Sequence, residues 1–98
     1  MTASGKVLVE NPNHPGSVRH VDAAMYMAMK QAFLQLLPNS SPGLTLAELR
    51  QAIPASLPSD LFPGGVKIGW WAKTVQLDLE AKGTIVREKV VPLRLRKR

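Results

Sequence analysis

The sequence has 98 residues, the common size of one domain, and its 45% hydrophobic residues suffice for one core but not for a second. It contains no cysteine, which excludes disulfide bridges, thiolate metal sites and a cysteine nucleophile, and favours a reducing compartment. No apolar stretch approaches the length of a membrane span. We therefore expect one cytoplasmic domain without a membrane partner.

The formal net charge of +6 is concentrated towards the C-terminus. Residues 67 to 98 contain nine lysines and arginines against three acidic residues, which accounts for the whole surplus. A one-sided positive field concentrates polyanions around a protein, so nucleic acid is the first partner to consider. Basic segments also keep small proteins in solution, and that interpretation stays open.

Residues 1 to 20 have the composition of an N-terminal arm, which we separate from a folded domain at residues 21 to 98. A short apolar run predicts one candidate strand at residues 6 to 10. Residues 11 to 16 contain two prolines and a glycine and predict turns. The arm is thus either a loose segment or an edge strand followed by a loop.

The first predicted helix begins after Asp22, which is a good N-cap, and ends before Pro38. Its apolar residues recur at spacings of three and four, which places them on one helical face. We expect this face to form part of the core: Met25, Met29, Phe33 and Leu36.

The second predicted helix begins with a capping box, in which Thr45 and Glu48 satisfy backbone amides reciprocally. Pro54 makes this helix short. Residues 55 to 65 form a long connection that is rich in proline and glycine. Its apolar side chains are expected to pack on the core: Leu57, Leu61 and Phe62.

The third predicted helix spans residues 68 to 82 and ends at Gly83, which can adopt the left-handed conformation. Its interior face is expected to consist of Ala72, Val75 and Leu79, with Ile68 and Trp71 extending it towards the N-terminus. Neighbouring residues of a helix point about 100° apart, so Trp70 cannot share that face. Trp70 could pack on the long connection, rest on a DNA backbone or anchor a partner protein.

After Gly83, two β-rich segments at residues 84 to 87 and 91 to 96 predict a two-stranded hairpin. Three helices followed by a hairpin are the order of a winged-helix domain, which is an α+β fold. Residues 79 to 87, LEAKGTIVR, resemble the end of the recognition helix in many bacterial winged-helix (winged helix-turn-helix) regulators. Residues 69 to 80, GWWAKTVQLDLE, are similar to those of a small bacterial family of uncharacterised proteins.

The winged-helix resemblance implies a nucleic-acid-binding protein, with double-stranded DNA as the favoured partner and a role related to transcription. One feature departs from the pattern, because helix-turn-helix units join their helices by about three or four residues and residues 55 to 67 intervene here. The outward residues of the third helix would lie in the major groove: Trp70, Lys73, Thr74 and Gln76. Basic residues around it would contact phosphates: Lys67, Lys89, Arg94, Arg96, Lys97 and Arg98.

The competing interpretation is a protein–protein interaction module of the same fold that binds no DNA. Trp70, Thr74 and Leu77 form a second, weaker apolar line along the third helix. Such a line would contact the long connection or a second subunit, which makes a homodimer a further expectation.

An enzyme is not expected, because neither a catalytic triad nor a metal cluster can be composed from the sequence. The histidines, His14 and His20, lie in or beside the proline-rich loop and have no thiol or close carboxylate pair. No glycine-rich phosphate-binding loop follows a strand. We therefore expect no cofactor and no small-molecule substrate.

Overall fold

The computed structural model describes residues 6–10, 18–58, 60–65 and 67–98, and these residues form an α+β fold of three helices and two antiparallel sheets. This confirms the predicted fold class and the C-terminal hairpin. The elements in chain order are β1 (Lys6–Glu10), β2 (Val18–Asp22), α1 (Ala23–Leu36), β3 (Leu44–Thr45), α2 (Leu46–Ala52), α3 (Ile68–Ala81), β4 (Ile85–Glu88) and β5 (Arg94–Lys97).

Helix α1 begins and ends as its local sequence predicts. The Asp22 carboxylate accepts a hydrogen bond of 3.0 Å from the amide of Met25, which caps the helix, and the helix ends two residues before Pro38. The buried face is rotated slightly from the predicted one, because Tyr26 is buried while Met25 is only half-buried. The Tyr26 hydroxyl donates a hydrogen bond to the buried carboxylate of Asp78, which explains how a polar aromatic side chain is accommodated there.

Helix α2 begins with the predicted capping box. The Thr45 hydroxyl accepts from the Glu48 amide at 3.1 Å, and the Glu48 carboxylate accepts from the Thr45 amide at 2.9 Å. The helix ends at Ala52 and continues as a 3-10 turn at Ile53–Ser56, which contains Pro54. In the connection to α3, Phe62 is buried and packs on the core, as predicted.

Helix α3 forms the centre of the domain, since it packs against α1, β1 and β4. It ends before Gly83, whose φ of 74° closes the helix as predicted. Four residues of the predicted interior face are buried, namely Trp71, Ala72, Val75 and Leu79. Ile68, at the start of the helix, is half-buried against the same core.

The C-terminal sheet has the order β3-β5-β4, and it contains a strand that we did not predict. Strand β3 has two residues, of which Leu44 pairs with Leu95. Gly43 permits this contact, because a Cβ atom at Gly43 would lie 2.1 Å from the carbonyl oxygen of Leu95. Pro92 lies in the turn between β4 and β5 and not within a strand, so β5 begins three residues later than expected.

The N-terminal sheet joins β1 to β2, with Val7 paired to Val21. Strand β1 lies at the predicted residues, whereas β2 was not predicted, and the boundary drawn between residues 20 and 21 falls inside it. Val9 and Val21 are buried with the residues of the helical core, so this hairpin packs with the rest of the fold. The predicted turns at residues 11 to 16 lie outside the described residues.

Candidate nucleic-acid interface

The outward side of α3 carries a row of residues at helical spacing, which we call the α3 face: Lys67, Trp70, Lys73, Thr74 and Leu77. The first three are exposed, while Thr74 and Leu77 are half-buried. Four of these five residues are predicted groove or phosphate contacts, so the structure brings them together on one helical side.

The two adjacent tryptophans have different environments. Trp71 is 5% exposed and belongs to the core, whereas Trp70 is 45% exposed. Their rings meet edge to face, with centroids 5.1 Å apart and planes at 88°. The contact with a core side chain therefore orients the outer ring, and the prediction that the two occupy different faces is confirmed.

Lys67 precedes the first residue of α3 and has a left-handed backbone, with φ 60° and ψ 14°. A non-glycine residue in this region is strained by about 1 kcal/mol or more. Its side chain is exposed, so the strained residue carries a charge that faces solvent.

The three acidic residues of the C-terminal third are turned inward, and Asp78 is the most buried of them. Its carboxylate accepts hydrogen bonds from the Glu10 amide at 2.9 Å, from the Tyr26 hydroxyl, and from the Lys82 ammonium at 3.0 Å. Burial, and then the neighbouring Asp78 carboxylate, raise the pKa of Tyr26. This cluster joins β1, α1 and α3 around one charge.

Glu80 connects α3 to β4. The Arg87 guanidinium donates two hydrogen bonds to its carboxylate, at 2.9 and 3.2 Å, and the Gln76 amide donates a third at 2.8 Å. Gln76 is only 7% exposed, which corrects the expectation that it faces outward to read bases. It lies four residues after Ala72 and therefore on the interior side of the helix.

Glu88 connects the end of β4 to the segment before β3. Its carboxylate accepts hydrogen bonds from the Ser41 hydroxyl and from the Gly43 amide, the latter at 2.8 Å. The Arg96 guanidinium lies 3.4 Å from the same carboxylate. The hydrogen bonds from Ser41 and Gly43 hold the pKa of Glu88 below its usual range.

Three of the six predicted phosphate contacts, all in strand β5, have internal partners. Arg94 donates to the Gly43 carbonyl at 2.7 Å and lies 3.6 Å from Glu48. Arg96 lies against Glu88, and the Lys97 ammonium donates to the Leu34 carbonyl at 2.8 Å, at the C-terminal end of α1. Arg94 and Lys97 therefore join the sheet to α2 and α1, while Arg96 joins β5 to β4. These three predicted phosphate contacts are engaged within the fold.

The remaining predicted cations are exposed, and they form no ion pair with the side chains that the structure describes. They are Lys67, Lys73, Lys89 and Arg98. In the C-terminal third, the acids therefore bond to donors within the protein and four cations face solvent, while the other five cations have partners in the fold. An approaching anion meets the cations first.

Sequence reasoning missed the structural role of Asp78, which entered the sequence analysis only as one of the three acidic residues in residues 67 to 98. The signal was its position, because it follows Val75 by three residues and precedes Leu79, within the apolar side of α3. A carboxylate at a buried helical position requires donors. Tyr26, at an equally buried position of α1, was the available partner.

Among the described residues, no group of three or more histidine, aspartate or glutamate side chains is arranged to hold a metal ion. His20 is exposed on β2, and His14 lies outside the described residues. Of the helices in the described part of the chain, none combines the length and apolar character needed to span a membrane.

Comparison with known proteins gives a family but no activity. Neither a curated protein nor a solved structure matches the chain. Residues 6–95 match the family described as a family of unknown function, DUF6958. The match begins with β1 and extends into β5, so it includes the N-terminal hairpin, the α3 face and the Asp78 cluster. The chain therefore belongs to the DUF6958 family.

Proposed function

We propose that this protein binds double-stranded DNA through the α3 face and the C-terminal hairpin. The observation that carries the proposal is the division of charge in residues 67 to 98. All three acids there, Asp78, Glu80 and Glu88, bond to internal donors, whereas four cations face solvent. A surface with this division attracts a polyanion although the chain as a whole also contains acidic residues.

The order of elements supports the same proposal. Helices α1, α2 and α3 are followed directly by the β4–β5 hairpin, which is the order of a winged-helix domain. Strand β3, between α1 and α2, pairs with β5 and ties the hairpin to the helical part. In that arrangement α3 would occupy the major groove and the hairpin would contact the backbone beside it.

The internal partners of the cations refine which residues would touch DNA. We assign groove contacts to Trp70 and Thr74, and phosphate contacts to the four exposed cations, Lys67, Lys73, Lys89 and Arg98. Arg94, Arg96 and Lys97 would instead maintain the shape of the hairpin. Without an outward Gln76, the α3 face has few side chains that form two directed hydrogen bonds to a base. We therefore propose binding with little sequence preference.

The test is a fluorescence-anisotropy titration of random duplex DNA at several salt concentrations. Each phosphate contact contributes about 0.9 to the slope of log affinity against log salt. The double variant Lys67→Gln, Lys73→Gln should bind more weakly and lower that slope by about two. Lys6→Gln changes an exposed lysine of β1, outside the proposed contact residues, and should leave the slope unchanged.

Two outcomes would contradict the proposal. Wild-type protein that fails to bind even at low salt would remove DNA as a partner. A second double variant, Lys6→Gln, Lys30→Gln, removes one lysine from β1 and one from α1. If it lost as much DNA affinity as the first double variant, DNA would be attracted by the net charge and not by a defined face. A role in transcription rests on this proposal and would fall with it, whereas a cytoplasmic location is proposed independently, from the cysteine-free sequence.

The second candidate is a protein-interaction module, favoured by the 45% exposure of Trp70 beside the half-buried Leu77. Exposed aromatic side chains are frequent anchors of protein interfaces. A homodimer formed through the α3 face is one form of this proposal. Sedimentation that shows a dimer in the wild type and a monomer in Leu77→Gln would favour it over DNA binding.

A further inference from the structure

The turn between β4 and β5 exposes a cluster of apolar carbons that no part of the proposed phosphate contact uses. This hairpin tip consists of Lys89, Val90, Val91 and Pro92, and all four residues are exposed. Val91 is 100% exposed and Val90 is 50% exposed. Two adjacent exposed valines beside a lysine are an apolar surface bordered by positive charge.

Strand β4, at the base of the hairpin, is bonded to two other parts of the fold. Arg87, in β4, forms the two hydrogen bonds to Glu80 that tie the strand to α3. Glu88, the last residue of β4, is bonded to the Gly43 amide and to the Ser41 hydroxyl. Within the turn, the Val90 amide donates to the Glu88 carbonyl at 2.9 Å. A load on the tip would therefore be transmitted to α3 and to the β3 segment.

We propose that the hairpin tip is an apolar wedge that enters a groove of duplex DNA and partially separates stacked base pairs. The proposal rests on the proposed DNA binding and adds a deformation of the duplex to it. Proteins that deform DNA in this way insert apolar side chains, proline among them, between base steps. Insertion requires an apolar tip, a rigid base and a nearby cation for the phosphate, and the hairpin supplies all three.

The charge of the molecule favours DNA over an apolar protein partner at this tip. Lys89 adjoins the valines, and the acid nearest in sequence, Glu88, is bonded to internal donors. An apolar protein surface would have to desolvate the Lys89 ammonium, whereas a DNA groove is lined by phosphates that pair with it. The wedge also gives a function to a protein with few base-reading side chains, because deformation needs no direct base contact.

The experiment measures DNA topology, since partial unstacking unwinds the duplex. Closed-circular DNA is saturated with protein, relaxed with a topoisomerase, freed of protein and resolved by electrophoresis. Wild-type protein should shift the topoisomers towards lower linking number. The double variant Val90→Ser, Val91→Ser should bind with a change of less than about tenfold, because phosphate contacts supply most of such affinity, and should leave the topoisomers as in protein-free DNA.

Leu8→Thr is the matched control, because Leu8 is a 48% exposed apolar residue of β1, remote in the chain from the hairpin. It should shift the topoisomers as the wild type does. Wild-type protein that does not bind DNA would overturn both this inference and the proposed function. Binding without a topoisomer shift, or with a shift that the valine variant retains or that Leu8→Thr also loses, would overturn the wedge alone.

Discussion

Gly43 lies where β5 passes closest to the segment that precedes β3. An added Cβ would meet the Leu95 carbonyl oxygen at 2.1 Å, which is backbone and cannot rotate away. Gly43→Ala should therefore separate β3 from β5 and lower the free energy of unfolding by about 3 kcal/mol. For a domain of this size we expect the Tm to fall by about 12 °C or more.

Gly69 provides the matched control for that substitution. It lies in the first turn of α3, and a Cβ there would have no atom within 4 Å. Because alanine has the higher helix propensity, Gly69→Ala should stabilise the protein by up to about 1 kcal/mol. Thermal melts of the two variants should move in opposite directions, and similar shifts would contradict the close approach of β5.

Lys67 combines a strained backbone with an exposed charge, so substitutions there should change the stability of the protein and its DNA binding differently. Lys67→Gly relieves the strain at φ 60° and should raise the free energy of unfolding by about 0.5 to 1 kcal/mol. The same change should weaken DNA binding and lower the salt slope by about one. Lys67→Gln keeps the strain and should lose binding without gaining stability; a stabilised Gln variant would argue against the strain.

At the scale of elements, the Asp78 cluster joins the N-terminal hairpin to the helices. Asp78→Ala would leave the Glu10 amide and the Tyr26 hydroxyl without this acceptor and should cost about 3 kcal/mol. Tyr26→Phe removes one donor only and should cost about 1.5 kcal/mol. Chemical denaturation measures both, and amide hydrogen exchange should show that β1 loses protection in the alanine variant.

Asp60→Ala is the control for the cluster, because Asp60 is an exposed aspartate in the connection between α2 and α3. It should change stability by less than about 0.5 kcal/mol. If Asp78→Ala were equally mild, or if β1 kept its exchange protection, the cluster would not be what holds the hairpin.

The helices were predictable from the sequence, whereas two strands were not. Helix ends depend on residues close in the chain, and the caps at Asp22, Thr45 and Gly83 all lie where the sequence indicates them. A strand is defined by its partner, and β3 is a two-residue strand whose partner Leu95 lies about fifty positions away. No local pattern contains that information.

The candidate site was predictable in outline for the same reason. Helical periodicity placed Trp70 and Lys73 on the outward side of α3, where the structure has them. It could not reveal which cations have partners within the protein, because Arg94 bonds to Gly43 and Lys97 to Leu34, residues that lie far away in the sequence. A contact between distant residues decides the role of each charge.

At the scale of the whole molecule, stability should depend on the ionisation of Glu88. Its pKa in the folded protein is lowered from 4.5 by hydrogen bonds from Ser41 and Gly43. Ionised Glu88 therefore stabilises the folded protein. This contribution to the free energy of unfolding is complete above the pKa of the unfolded state and is lost as the pH falls through the pKa of the folded state. The Tm should decline as the pH is lowered below about 5.

Glu88→Gln should reduce that decline, because the amide keeps an acceptor oxygen but has no charge to lose. Part of the decline should persist, since hydrogen bonds from Thr45 also lower the pKa of Glu48. If the Tm of Glu88→Gln fell as steeply as that of the wild type between about pH 7 and pH 3, the prediction would be contradicted.

The bond between the Glu10 amide and Asp78 also bears on how the protein behaves in concentrated solution. Among the strands of the described residues, β1 pairs with β2 alone, so its other edge could recruit a strand from a neighbouring molecule. The Asp78 carboxylate accepts a hydrogen bond from the Glu10 amide of this strand, so that amide is not available to pair with a strand of another molecule. A chain that lacks it would offer that donor to other chains, so the residue that secures the fold would also delay aggregation during storage or overexpression.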